Sequence, residues 1–92
     1  MLVTLRPAVL QDAQALSDLD RQCRQEFWLA HTYSTDLSSH RHYGIVAEHR
    51  VTEPSYNGVT SELVGFVWLS WVLDVAQLEN IVVAPHARGH HI

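Results

Sequence analysis

The sequence of 92 residues contains no lysine, and its six basic residues are all arginines. Ten acidic residues outnumber them, so the net charge is −4 with histidine neutral, and the isoelectric point is about 5.9. Proteins that bind nucleic acid through its phosphates usually carry a basic patch and a high isoelectric point. The charge balance therefore argues against a nucleic-acid partner.

Cysteine and long apolar runs are also scarce. The single cysteine, Cys23, cannot form an internal disulfide, which fits the reducing cytoplasm. The longest apolar run, 63–73, has 11 residues including Gly65 and Ser70, whereas a membrane-spanning helix needs about 20. The N-terminus lacks the basic start and apolar core of a signal peptide. We expect a cytoplasmic protein with no membrane partner.

What is present predicts one mixed α/β domain over residues 1–92, with 47% hydrophobic residues to form its core. Strands are expected at 3–7, 43–48, 62–73 and 76–83, helices at about 10–25 and 29–37, and turns at Asn57-Gly58 and Asp74-Val75. The strand at 62–73 is apolar on both faces. We expect it to be central in the sheet and covered on two sides.

The first helix carries one apolar stripe, because steps of three and four residues connect Ala13, Leu16, Leu19 (or Asp20) and Cys23. We interpret Cys23 as a small buried hydrophobe rather than a nucleophile. The three aspartates Asp12, Asp18 and Asp20 are interpreted as a solvated helix face, and Asp12 lies where a negative charge favours the helix dipole.

The segment 78–92 predicts an anion-binding turn. An apolar strand ends at Val83, and Pro85 and Arg88-Gly89 follow as a turn typical of a helix start. Unpaired N–H groups at a helix start favour an anion, glycine lets a ligand approach the backbone, and an arginine can bind phosphate oxygens in a fork. On residues alone, an arginine beside a glycine is also common in purely structural turns, and that alternative stays open.

The same segment resembles motif A of the GNAT superfamily, the acetyl-CoA-dependent N-acetyltransferases. Arg88 takes the family's Arg or Gln place, and Gly89 and His90 fill the two free positions. His91 stands where the family has its first required glycine, and Ile92 fills the next free place.

Other parts of the chain share the resemblance. The opening 5–13 is similar to the family's first strand end and helix start, and 64–67 to its third strand. Phe27-Trp28 and 71–78 are most similar to the bacterial ribosomal-protein-alanine acetyltransferases, which modify the N-terminal α-amine of a ribosomal protein. The resemblance implies a GNAT fold in the order strand, helix, helix, strand, strand, strand, ending at the pyrophosphate loop. The 92 residues would then be an incomplete acetyltransferase domain.

The resemblance also implies a cosubstrate, an acceptor and site residues. Acetyl-CoA would lie along 78–83, a strand with a bulge, and transfer its acetyl group to a protein N-terminal α-amine. The pantetheine arm would contact the main chain of Ile81, Val82 and Val83. The pyrophosphate would be held by backbone N–H groups of Arg88, Gly89, His90, His91 and Ile92.

Glu79 is the candidate general base, since several family members place a working glutamate on this strand. In the ribosomal-protein-alanine branch the base and the acid lie on later elements, beyond residue 92. Two alternatives therefore stay open: a non-catalytic fragment that at most binds CoA, and an interaction module whose copies pair through an exposed strand edge. Glu79 and Asn80 can also be a solvent-facing polar pair.

We expect no metal site. His86 and His90 are four residues apart, but a zinc site needs three or four ligands, and the other candidates are remote in sequence.

Overall fold

The computed structural model describes residues 2–53 and 58–89. Four strands, β1 (Val3–Pro7), β2 (His42–Glu53), β3 (Gly58–Val72) and β4 (Val75–Val83), form an antiparallel sheet in chain order. Two helices, α1 (Ala13–Cys23) and α2 (Ala30–Leu37), connect β1 to β2, and short 3-10 turns cover Leu10–Asp12 and Pro85–Ala87. The predicted mixed α/β order is confirmed.

The hairpin between β2 and β3 is longer than the sequence pattern predicted. β2 continues past Glu48 to Glu53, and β3 begins at Gly58 rather than Glu62. Backbone pairing extends the ladder over these polar residues, so apolar alternation alone underestimates the strands. The next turn lies at Leu73-Asp74 rather than Asp74-Val75, with Leu73 at φ 57.

The core lies between the sheet and the two helices, which pack on one face. Alternate residues of β3 point into it, as expected for a strand. The core contains Leu16, Leu19, Tyr33, Val46, Val64, Phe66, Trp68 and Val82. The Tyr33 ring lies edge-on to Trp68, with centroids 5.0 Å apart, and to Phe66 at 5.6 Å. Most of the apolar burial therefore comes from one face of the sheet.

The expectation that β3 is covered on both faces is not met by the part of the chain that the structure describes. β3 is central, as predicted, but both helices belong to one connection and cover the same face. On the other face, Leu5 is 66% exposed and Ile81 is 59% exposed. The apolar character of both faces of β3 thus leaves an open apolar face, which we define by Leu5, Ile45, Val67 and Ile81. Neither described helix has the length and apolarity to cross a membrane.

Two of the three aspartates assigned to a solvated helix face are buried, so that interpretation was wrong for Asp12 and Asp20. Asp12 accepts hydrogen bonds from Arg6 at 2.8 and 2.9 Å, and Asp20 accepts two from Arg24 at 2.6 and 2.9 Å. Asp20 lies one helical turn after Leu16, on the buried side, where its charge is compensated by these donors. The Asp18 side chain is 47% exposed, in keeping with the solvated face.

Candidate functional site

Strand β4 is an edge strand with a bulge at Glu79. Trp68 pairs with Asn80 and Leu69 with Leu78, so Glu79 is an extra residue opposite β3. No strand pairs with the other edge of β4 among residues 2–53 and 58–89. The main-chain groups of β4 that point away from β3 are therefore at an edge that an extended ligand could pair with, and the bulge lies where the resemblance implied one.

Glu79, the candidate base, is exposed, and its Oε1 accepts a hydrogen bond of 2.5 Å from the Ser70 hydroxyl. Ser70 is buried on the helix-covered face of β3, so the carboxylate of Glu79 is held at one oxygen and open to solvent elsewhere. An exposed carboxylate fixed in this way can take a proton from a bound amine. The role of Ser70 was not predicted; a lone serine within the apolar run of β3 was the available signal.

A second carboxylate lies at the same end of the sheet. Asp36, near the end of α2, accepts a hydrogen bond from the Trp68 indole at 3.1 Å and lies 3.7 Å from Nε2 of His42. The Cα of His42 pairs with that of Ser70, the partner of Glu79. The two carboxylates make this end of the sheet attractive to a cation such as an ammonium group.

Residues 81–83 divide between the two faces of the sheet. Ile81 lies on the open apolar face, Val82 is buried in the core, and Val83 is half-buried. The Val83 carbonyl accepts hydrogen bonds from the Cys23 thiol at 3.6 Å and from Nε of Arg88 at 3.0 Å. Cys23 is only half-buried, and its thiol contacts the end of β4 rather than a catalytic partner.

The loop after β4 begins with the 3-10 turn Pro85–Ala87. The Arg88 side chain folds back onto the Val83 carbonyl, a contact that the sequence did not predict. Gly89 has φ 86, a backbone conformation that side chains rarely adopt, and the space where a side chain would begin is open. His90, His91 and Ile92 lie outside the described residues, so the pyrophosphate loop remains a prediction.

A groove of about 400 Å³ lies on the other side of α1 and was missed by sequence reasoning. At its base Arg6 binds Asp12 in a fork and contacts Glu48 at 3.2 Å. These hydrogen bonds lower the pKa of both carboxyl groups and raise the pKa of Arg6. Four carboxylates line the groove, Asp12, Asp18, Glu48 and Glu62, so its charge disfavours phosphate.

The three tryptophans and His86 contribute to packing or to the surface. Trp68 is buried in the core, Trp28 packs against Tyr33 with ring centroids 5.4 Å apart, and Trp71 is partly exposed. His86 contacts Glu62 at 3.2 Å. Within the described ranges, no group of three or more His, Cys, Asp or Glu side chains is placed to hold a metal ion.

The fold has a close counterpart among solved structures. The crystal structure of the ribosomal-protein-S18-alanine N-acetyltransferase from Escherichia coli matches with a TM-score of 0.72 at 19% sequence identity. The match covers 97% of this chain and 50% of that chain, so the chain spans about half the length of that protein. No family model and no curated protein matches the sequence. At this identity the likeness shows the fold alone, and the predicted order of strands and helices is confirmed at that level.

Proposed function

We propose that this chain carries the acetyl-CoA-binding part of a GNAT N-acetyltransferase domain, and that its acceptor is an amine, specifically a protein N-terminal α-amine. The observation that carries the proposal is the bulged edge of β4, which no described strand pairs with, in a fold shared with an N-acetyltransferase. The residues around this edge fit the cosubstrate, because a free strand edge can hydrogen-bond an extended amide-containing arm.

Acetyl-CoA would supply an acetyl group activated as a thioester. The main chain of Ile81, Val82 and Val83 would hold the pantetheine arm, with one N–H group donating to the carbonyl oxygen, where negative charge develops. Backbone N–H groups of the loop that begins with Arg88 and Gly89 would bind the pyrophosphate, together with those of residues 90–92.

Glu79 would act as the general base. An amine arrives as an ammonium group, which has no lone pair for attack, so a proton must first pass to a carboxylate. The Glu79 carboxylate, oriented by the Ser70 hydroxyl, would accept that proton. The nitrogen would then form a bond to the acetyl carbon, the carbon–sulfur bond would break, and the second proton lost by the nitrogen would pass to the departing thiolate. The negative charge of Asp36 and Glu79 at this end of the sheet supports a cationic acceptor.

The test is an acetylation assay with a peptide that begins with a free alanine, read by mass spectrometry. We expect transfer to the N-terminus and none to the same peptide with a blocked N-terminus. Glu79→Gln should lower kcat about 10²- to 10⁴-fold with little change in KM for acetyl-CoA. Turnover that survives Glu79→Gln would remove Glu79 as the base. Binding of acetyl-CoA without any transfer would favour the non-catalytic alternative.

A second candidate function is association of two copies through the edge of β4. It is favoured by an edge that no strand within 2–53 and 58–89 covers, and by the exposed Val75 and Leu78 on β4. Sedimentation over a range of protein concentrations separates the two candidates. A concentration-dependent dimer that acetyl-CoA does not dissociate would support association, whereas a monomer that binds acetyl-CoA would exclude it.

A further inference from the structure

A buried chain of hydrogen bonds connects both helices to β4. The Tyr33 hydroxyl in α2 donates to Asp20 in α1 at 2.7 Å and accepts from the Asn80 side-chain amide in β4 at 3.1 Å. Asp20 and Tyr33 are 0% exposed, and Asn80 is 6% exposed. We call this set the Asp20–Tyr33–Asn80 chain. It is a polar network placed inside a small apolar core, where each partner is costly to leave unsatisfied.

The direction of these hydrogen bonds is fixed by chemistry. Asp20 also accepts from the Arg24 guanidinium and from the Trp28 backbone N–H at 2.9 Å, so it is an acceptor with a full set of donors. Burial and the neighbouring Asp20 raise the pKa of Tyr33, so its hydroxyl keeps its proton. The single Tyr33 proton points to Asp20, and the oxygen lone pairs are left for the amide of Asn80.

Asn80 is the residue directly after the bulge at Glu79. The bulge places both side chains on the helix-covered face, where Glu79 contacts Ser70 and Asn80 contacts Tyr33. Alternation then continues with Ile81 on the open apolar face and Val82 in the core. Without the extra residue, the alternation would reverse and Val82 would leave the core.

We propose that Tyr33 and Asn80 are positioning residues: the Asp20–Tyr33–Asn80 chain fixes the bulge and thereby presents the outward-facing main-chain groups of Ile81 and Val83 at the free edge of β4. That acetyl-CoA is the ligand of this edge rests on the proposed function. That Tyr33 and Asn80 fix the bulge is argued from the geometry alone. The Asp20–Tyr33–Asn80 chain thus couples the packing of both helices to the orientation of the free edge of β4.

The experiment compares Tyr33→Phe and Asn80→Ala with the control Ser17→Ala. Tyr33→Phe keeps the aromatic ring of the core, and Asn80→Ala removes the same contact from the strand. Ser17→Ala also removes a part-buried hydrogen bond, to the Trp28 carbonyl at 2.8 Å, and that bond does not involve a residue of β4. Amide hydrogen exchange and acetyl-CoA titration are measured on the full chain for each variant.

We expect both test variants to speed exchange of the Val82 amide, which pairs with Phe66 of β3, about tenfold relative to the amides of α1, and to raise the Kd for acetyl-CoA about tenfold. Ser17→Ala should leave the exchange ratio and the Kd unchanged. Equal effects from all three variants, or no effect from Tyr33→Phe and Asn80→Ala, would overturn the proposal. If Tyr33→Phe does not fold, the comparison of Asn80→Ala with Ser17→Ala tests the proposal.

The two parts of the proposal fail separately. If the unmodified protein does not bind acetyl-CoA, the proposed function is overturned. The role of the Asp20–Tyr33–Asn80 chain in orienting the strand edge for that ligand is then overturned as well. The exchange ratio would still decide whether Tyr33 and Asn80 hold the bulge.

Discussion

Replacing Asp20 by asparagine should be one of the most damaging polar substitutions in this protein. The Asp20 carboxylate is completely buried and accepts four hydrogen bonds, two from Arg24, one from the Trp28 backbone and one from Tyr33. Asparagine keeps the shape but loses the charge and turns one acceptor into a donor that faces other donors. Breaking a buried ion pair costs about 3–5 kcal/mol. The Arg24 side chain is 35% exposed, so solvent screening lowers its share, and we expect about 3 kcal/mol.

The assay is urea unfolding followed by tryptophan emission, with Asp18→Asn as the matched control. Asp18 lies two residues earlier on α1, has a side chain that is about half exposed, and approaches Arg21 only to 3.7 Å. Asp20→Asn should lower the unfolding midpoint by about 2 M urea. Asp18→Asn should change the free energy of unfolding by at most about 0.5 kcal/mol. Equal midpoints for the two variants would refute the assignment of Asp20 to a compensated core site.

Two further predictions concern Arg6 and Gly44. The Arg6 hydrogen bonds hold the pKa of Asp12 and the pKa of Glu48 below the usual range for a carboxyl group. The two ionised carboxylates therefore add to the free energy of unfolding at pH values above the usual pKa, and this stabilisation is lost as the pH falls through the lowered pKa values. Arg6→Gln should cost about 1–2 kcal/mol at neutral pH and flatten the loss of stability below about pH 5, and an unchanged acid-unfolding curve would contradict this. A methyl group at Gly44 would overlap the buried Trp68 ring, so Gly44→Ala should cost about 1–3 kcal/mol; an unchanged Tm would contradict the packing.

Much of the fold could be predicted because its signals are local. The strand at 3–7 alternates and ends at a proline, and the stripe of α1 follows helical spacing, so both were identified from the residues. The burial of Asp20 could not be predicted from the sequence. Its partners Tyr33 and Trp28 come from later in the chain and contact it only in the folded state. A charged residue is expected at the surface until such partners are known.

In the candidate site, too, some features were predicted from the sequence and others were not. The resemblance implied a bulge in β4 and drew attention to Glu79, and the bulge lies at that residue. The contact between Glu79 and Ser70 depends on strand register, which residue patterns did not specify. The Arg88 side chain bonds a carbonyl of the preceding strand, whereas the motif alone suggested a contact with phosphate.

The most direct test of the central claim is an NMR titration of the isotope-labelled chain with acetyl-CoA. If acetyl-CoA binds along the free edge of β4, the amide shifts should concentrate at 81–83 and at Arg88-Gly89, and the opposite edge strand β1 should stay unchanged. Shifts confined to the acidic groove beside α1, or no shifts at saturating acetyl-CoA, would contradict the claim that β4 is the cosubstrate edge.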